Sequence, residues 1–146
     1  MKVLAITQAR MGSSRLPGKI MKEVNGETLL KIHLDRINKS TLIDKVIVAT
    51  TISEKDDELC VYLEKNNITY FRGSENDVLE RFYLAGKDYN PEYIIRLTSD
   101  CPLIDPKLID KVVSEALNYN ADYCTNVLTE TYPDGQDIEV VKFSAL

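Results

Sequence analysis

Tryptophan is absent from this 146-residue chain, histidine occurs once, and there are only 3 cysteines, 6 glycines and 5 prolines. Each shortage excludes something. A single histidine, with cysteines far apart at 60, 101 and 124, leaves no cluster at zinc-site spacing. An odd number of scattered cysteines is no disulfide framework and fits a reducing compartment, so a cytoplasmic setting is expected. Sparse glycine and proline, beside 44% hydrophobic and 28% charged residues, rule out collagen-like fibre, disorder and coiled-coil array. No apolar run approaches the roughly 18 residues needed to cross a membrane, so no membrane partner is expected. The apolar stretch after Lys2 is too short for a signal peptide. A net charge of −5 argues against general nucleic-acid binding.

Acidic residues are missing from one place in particular. Residues 1–22 contain Lys2, Arg10, Arg15, Lys19 and Lys22 with no Asp or Glu, a charge of +5, whereas the other 124 residues sum to −10. An acidic chain with one purely cationic segment is suited to hold a small anion there.

Hydrophobic patterning supplies the frame. Apolar, β-branched runs at Lys2–Thr7, Lys45–Thr50, Ile68–Phe71 and Tyr93–Leu97 read as buried strands. Stretches with helical periodicity lie between and after them, at about Glu27–Asn38, 54–65, 76–87 and 106–118. Asp105-Pro106 offers an N-cap and first turn for the last of these. Ser53 with Asp56, and Ser74 with Asp77, look like capping pairs. Asp122–Val127 and Asp137–Phe143 read as two further strands, joined through a turn at Asp134-Gly135, with an antiparallel direction open to the second. Alternation of strand and helix predicts an α/β fold, a three-layer αβα arrangement about a mostly parallel sheet. One domain over residues 1–146 is expected. In such sheets ligands collect outside the carboxyl ends of the strands.

The loop after the first strand is the most informative segment: Gln8-Ala9-Arg10-Met11-Gly12-Ser13-Ser14-Arg15-Leu16-Pro17-Gly18-Lys19. Gly12 allows close backbone approach to a ligand, and the following amides and hydroxyls can donate to phosphate oxygens. Arg10, Arg15 and Lys19 add two guanidinium forks and one mobile ammonium. Two familiar phosphate loops do not fit. Five residues, not four, separate Gly12 from Gly18, and Ile20 follows the lysine where a Walker A loop has Ser or Thr; the Gly-x-Gly-x-x-Gly dinucleotide fingerprint is also absent.

This loop, together with Arg96-Leu97-Thr98-Ser99-Asp100-Cys101-Pro102-Leu103-Ile104, resembles the spore-coat-polysaccharide cytidylyltransferase-like family. That family is related to the CMP-sugar synthetases that activate 3-deoxy-manno-octulosonate and acylneuraminates (sialic acids). The resemblance runs from Lys2 to about Val141. It implies a Rossmann-like nucleotidyltransferase fold, CTP as donor, a sugar or sugar-acid acceptor, Mg²⁺ as cofactor, pyrophosphate as product, and a role in surface-polysaccharide synthesis. It implies that Ala9, Arg10, Gly12, Ser13, Arg15 and Lys19 surround the nucleotide, with Arg15 and Lys19 steadying the leaving pyrophosphate. A homodimer would be in keeping with it. Family members are longer, so the chain reads as a C-terminally shortened form.

Asp100 ends the fourth strand, and a carboxylate there suits Mg²⁺, which usually takes one or two protein carboxylates plus phosphate oxygens and water. The resemblance makes Asp100 the metal ligand and a catalytic residue beside Arg15 and Lys19; the residue alone is equally a turn aspartate. Asp137 and Glu139, two apart on an expected strand, share a face and could bind acceptor hydroxyls, help coordinate metal, or be a solvated strand face. Ser74 and Asp77 would read the base by the resemblance, and cap a helix by their spacing. Arg81 reads as a surface partner of Asp77, and His33 as a structural residue. Two other functions stay open: a CTP-binding module without turnover, and a glycosyltransferase-like enzyme using a preformed nucleotide sugar.

Overall fold

The computed structural model describes residues 1–13, 16–129 and 131–146. Its elements in chain order are β1 (Val3–Gln8), β2 (Glu23–Val24), β3 (Glu27–Thr28), α1 (Leu29–Ile37), β4 (Lys45–Thr51) and α2 (Asp57–Lys65). There follow β5 (Tyr70–Gly73), α3 (Val78–Lys87), β6 (Tyr93–Thr98), α4 (Pro106–Tyr119), β7 (Tyr123–Thr125) and β8 (Glu139–Lys142).

Six strands form one sheet in the order β5-β4-β1-β6-β8-β7. β1, β4, β5 and β6 are parallel, and β8 runs antiparallel to both β6 and β7. The central strands are apolar on both faces because both faces are covered. Leu4, Ile6, Ile47, Ala49 and Ile94 meet Phe82 and Ala85 of α3 on one side. On the other, Val3, Ala5, Tyr93, Ile95 and Leu97 meet Ile109, Val112, Val113 and Ala116 of α4. Val48 on that same side packs with Leu30 and Leu34 of α1 and Leu59 and Leu63 of α2. The three-layer α/β expectation therefore holds, including the antiparallel strand near the C-terminus.

Some boundaries move for local reasons. The short hairpin of β2 and β3 precedes α1, turned by Asn25 and Gly26 at φ of 54° and 83°, the left-handed pair that a tight two-residue hairpin requires. Helix α1 starts two residues later than the apolar stripe suggested, because Thr28 is its N-cap and accepts from the Lys31 amide at 3.1 Å. Ser53 makes no capping bond, and Asp56 is buried rather than capping a helix.

The chain leaves β1 toward β4 on one side and leaves β6 toward β7 on the other. The carboxyl ends of β1 and β6, adjacent through Gln8 and Thr98, are thus the switch point of the sheet, where open α/β folds place their ligands.

Candidate active site

A cleft of about 210 Å³ opens at that switch point, lined by Gln8, Arg10, Ser13, Lys19, Ile20, Thr98, Ser99 and Asp100. Two segments build it. The first is the loop after β1. The Ala9 amide continues the sheet by donating to Ala49 O at 3.0 Å, and the chain then leaves the plane. The Met11 carbonyl accepts from the amides of both Ser13 (2.9 Å) and Gly18 (3.0 Å), so one backbone group holds both of these residues. Gly18 supplies the left-handed conformation, φ +66°, that aims Lys19 back across the cleft. A Cβ added at Gly12 would meet no atom of the described residues within 4 Å.

The second segment is the turn after β6. The Ser99 amide donates to Gln8 O at 3.1 Å, tying the two strand ends together, and Asp100 projects into the cleft. Lys19 Nζ lies 2.6 Å from Asp100 Oδ2, with both side chains partly open to solvent. An ion pair this exposed contributes about 1 kcal/mol or less to stability. Burial works against the Asp100 charge, but the Lys19 ammonium, helped by the aspartate's own backbone amide and the Thr98 hydroxyl, holds the carboxyl below the ordinary aspartate range.

His33 of α1 supports the turn from beneath and is fully buried. Its Nδ1 is 2.9 Å from Cys101 O, which can only accept, so Nδ1 carries the proton; Nε2 then accepts from Thr7 Oγ1 at 2.9 Å. Desolvation lowers its pKa to about 4, so it is a neutral strut at ordinary pH. The structural reading of His33 is borne out.

A cytidylyltransferase family model matches residues 4–145. The chain belongs to that family. It is 39% identical over 125 residues to the spore coat polysaccharide biosynthesis protein SpsF of Bacillus subtilis, covering 83% of this chain and 52% of that protein. It is 34% identical over 122 residues to the 3-deoxy-manno-octulosonate cytidylyltransferase of Geotalea daltonii, covering 78% of this chain and 44% of that one. The solved structure of a cytidylyltransferase from Leptospira borgpetersenii superposes with a TM-score of 0.91 at 42% identity, over 99% of this chain and 61% of that one. The chain thus spans about half the length of the curated relatives it matches.

Within this cytidylyltransferase-family chain, Arg10, Ser13, Lys19 and Asp100 converge on one cleft. Arg15 falls outside the described residues. Ala9 is buried beneath, its amide committed to the sheet. Ser74 and Asp77 do not line the cleft; Ser74 Oγ accepts from the Asp77 amide at 3.0 Å, and Asp77 Oδ1 from the Glu80 amide at 2.8 Å, so both side chains organise the start of α3. Glu139 pairs with Arg96 and accepts from Tyr123 Oη at 2.8 Å. Asp137 instead lines a separate hollow of about 170 Å³ with Asn126, Val127, Tyr132 and Asp134. Among the described residues no three His, Cys, Asp or Glu side chains gather as a metal cluster. No helix there is long and apolar enough to cross a membrane.

Arg81 corrects the sequence expectation. It is almost wholly buried rather than a surface partner of Asp77: Nη1 donates to Ser74 O, and Nε has no partner among the described residues. Burial lowers its pKa, and the nearby Arg10 charge adds to that. Patterning missed it because an arginine on an amphipathic helix reads as solvated. Gln8 and Ser99 were also missed as cleft residues; their place at strand carboxyl ends was the available signal.

Proposed function

We propose that this chain transfers CMP from CTP to a hydroxyl of a sugar or sugar acid and releases pyrophosphate, in the service of surface-polysaccharide synthesis. The observation that carries the reading is that Arg10, Ser13, Lys19 and Asp100 line one cleft, with Lys19 paired to Asp100, at the switch point of a cytidylyltransferase-family fold.

The chemistry follows from the charges. The acceptor oxygen attacks the α-phosphorus, and negative charge builds on the departing pyrophosphate, so catalysis is positioning and charge neutralisation rather than covalent help. Arg10, Ser13 and Lys19, which line the cleft, would donate to triphosphate oxygens, and the family resemblance gives Arg15 the same task. Lys19 would then exchange part of its contact with Asp100 for the phosphate. Asp100 is the residue to hold Mg²⁺: its carboxylate is ionised and opens on the cleft, and a single protein carboxylate is within the usual complement for a nucleotide-bound Mg²⁺. Bound there, Mg²⁺ would supply neutralisation of phosphate charge.

Thermal unfolding of the chain with CTP, UTP, GTP or CMP, each with and without Mg²⁺, tests the reading. CTP with Mg²⁺ should stabilise most, by about 2.7 kcal/mol at a hundred times its Kd. Equal shifts with all four nucleotides, or none with CTP, would defeat it. Pyrophosphate release from CTP in the presence of sugar acceptors then separates turnover from binding alone.

A further inference from the structure

Asp56 sits where a helix cap was expected, yet its side chain turns away from α2 into the protein and is 2% exposed. There Oδ1 accepts from the Met11 amide at 2.7 Å and Oδ2 from the Thr51 hydroxyl. Among the described residues, Lys, Arg and His side chains make no salt bridge with it. A buried carboxylate without an ion pair is costly, and this one lies under a loop whose surface is cationic.

Its partner explains the position. Met11 is the knot of the loop: its carbonyl gathers the Ser13 and Gly18 amides, so it holds Ser13 itself and the residue before Lys19. Its amide is the other backbone group of that residue, on the preceding peptide, and Asp56 holds it. A charge-assisted bond to a backbone amide is roughly twice as strong as a neutral one. Arg10 and Arg81 both lie close enough to act on one another electrostatically, and Asp56 also acts on Arg81, so the carboxylate sits within the field of the cations it organises. We propose that Asp56 is the positioning residue of the polyphosphate loop: by clamping the Met11 amide to the end of β4, it presets Arg10, Ser13 and Lys19 for the nucleotide. The inference rests on the nucleotide-binding reading above for its ligand, but not for the clamp itself.

Two measurements on the 146-residue chain test it: the Kd for CTP with Mg²⁺ by calorimetry, and amide hydrogen exchange without nucleotide. Asp56→Ala orphans the Met11 amide, and should weaken CTP binding about thirtyfold and speed exchange at Met11, Ser13 and Gly18 at least about tenfold, with β6 amides unchanged. Asp56→Asn, which can still accept from Met11 and donate to the Thr51 hydroxyl, should return both readouts to within about threefold of the parent. Val113→Ala, a core truncation in α4 remote from the loop, controls for lost stability and should move neither local exchange nor Kd. If Asp56→Ala does not fold, Asp56→Ser, too short to bridge both partners, is judged by the same thresholds. Unchanged exchange at the three loop amides, or an equal loss of affinity in Val113→Ala, overturns the proposal. Failure of the parent chain to bind CTP overturns the nucleotide reading instead, and the exchange experiment then decides the clamp alone.

Discussion

The two walls of the cleft are built by opposite means. The loop after β1 carries cations and is held from below by a buried carboxylate, Asp56, through one backbone amide. The turn after β6 carries the acid, Asp100, and is held by a buried neutral imidazole, His33, through one backbone carbonyl. In each case the group beneath bonds the main chain rather than the functional side chain. The lesson is that the working residues stay free to engage a ligand, while the backbone that aims them is fixed. Lys19 and Asp100 meet across the gap in a partly exposed pair that adds little to stability, so stability does not account for their closeness.

The sharpest way to break this picture is to remove the side chains that meet. Lys19→Ala and Asp100→Ala should each lower CTP-dependent pyrophosphate release by about two to three orders of magnitude, or roughly 3–4 kcal/mol in the barrier. The unfolding midpoint should move little, because the pair is partly solvated. Steady-state pyrophosphate assays beside thermal melts check both halves. Near-parental turnover in either variant removes the proposed mechanism, and a collapse of stability in both would make the pair structural.

The second comparison is between the supports. His33 has a folded pKa of about 4 against 6.5 for the free side chain, so the unfolded chain binds a proton that the folded chain refuses over that window. Stability contributed by the neutral ring is therefore complete above pH 6.5 and declines as the solution is acidified toward pH 4. The loss should reach about 3 kcal/mol by the lower end, with much of it arriving before most carboxylates titrate. Urea unfolding followed by circular dichroism between these limits measures it. In His33→Gln the slope above the carboxylate range should flatten; an unchanged slope would mean that the imidazole is not the group responsible.

Much of this was legible in the sequence, and the failures share a cause. Strand runs such as Val3-Leu4-Ala5-Ile6 and the amphipathic stripe of α4 give the α/β layers directly, because burial on two faces or one leaves a periodic trace. Arg10, Lys19 and Asp100 were legible as charges after strand ends, and Ser13 as a hydroxyl in the first of those loops. Asp56, Arg81 and the second partner of His33 were not. Each is a polar side chain whose partner is a main-chain group, or a hydroxyl, brought near only by the fold: Met11 is 45 residues from Asp56, and Cys101 is 68 from His33. A residue type carries no mark of such a partner, so Asp56 was assigned to the nearest local explanation, a helix cap. The real caps, Thr28, Asp77 and Asp105, were near enough in sequence to their amides to be seen or nearly seen.

The smallest expected effect probes how far the site extends along the sheet. Asp77 carries two readings, a base contact by family resemblance and a cap by geometry. The cap is the one its atoms make: Oδ1 accepts from the Glu80 amide at 2.8 Å, while its own amide donates to Ser74 Oγ at 3.0 Å. Neither Asp77 nor Ser74 touches the cleft between β1 and β6. Asp77→Ala should therefore cost about 1 kcal/mol of stability, the usual value of an N-cap, and Asp77→Asn much less, since Asn caps as well as Asp. The preference for CTP over UTP, read as a ratio of Kd values, should stay within about twofold of the parent in both variants, because no discriminating contact is lost. A ratio that collapses in Asp77→Ala, and in Asp77→Asn where the cap survives, would extend the nucleotide site past β4 to the end of β5. The cleft would then be only its phosphate half.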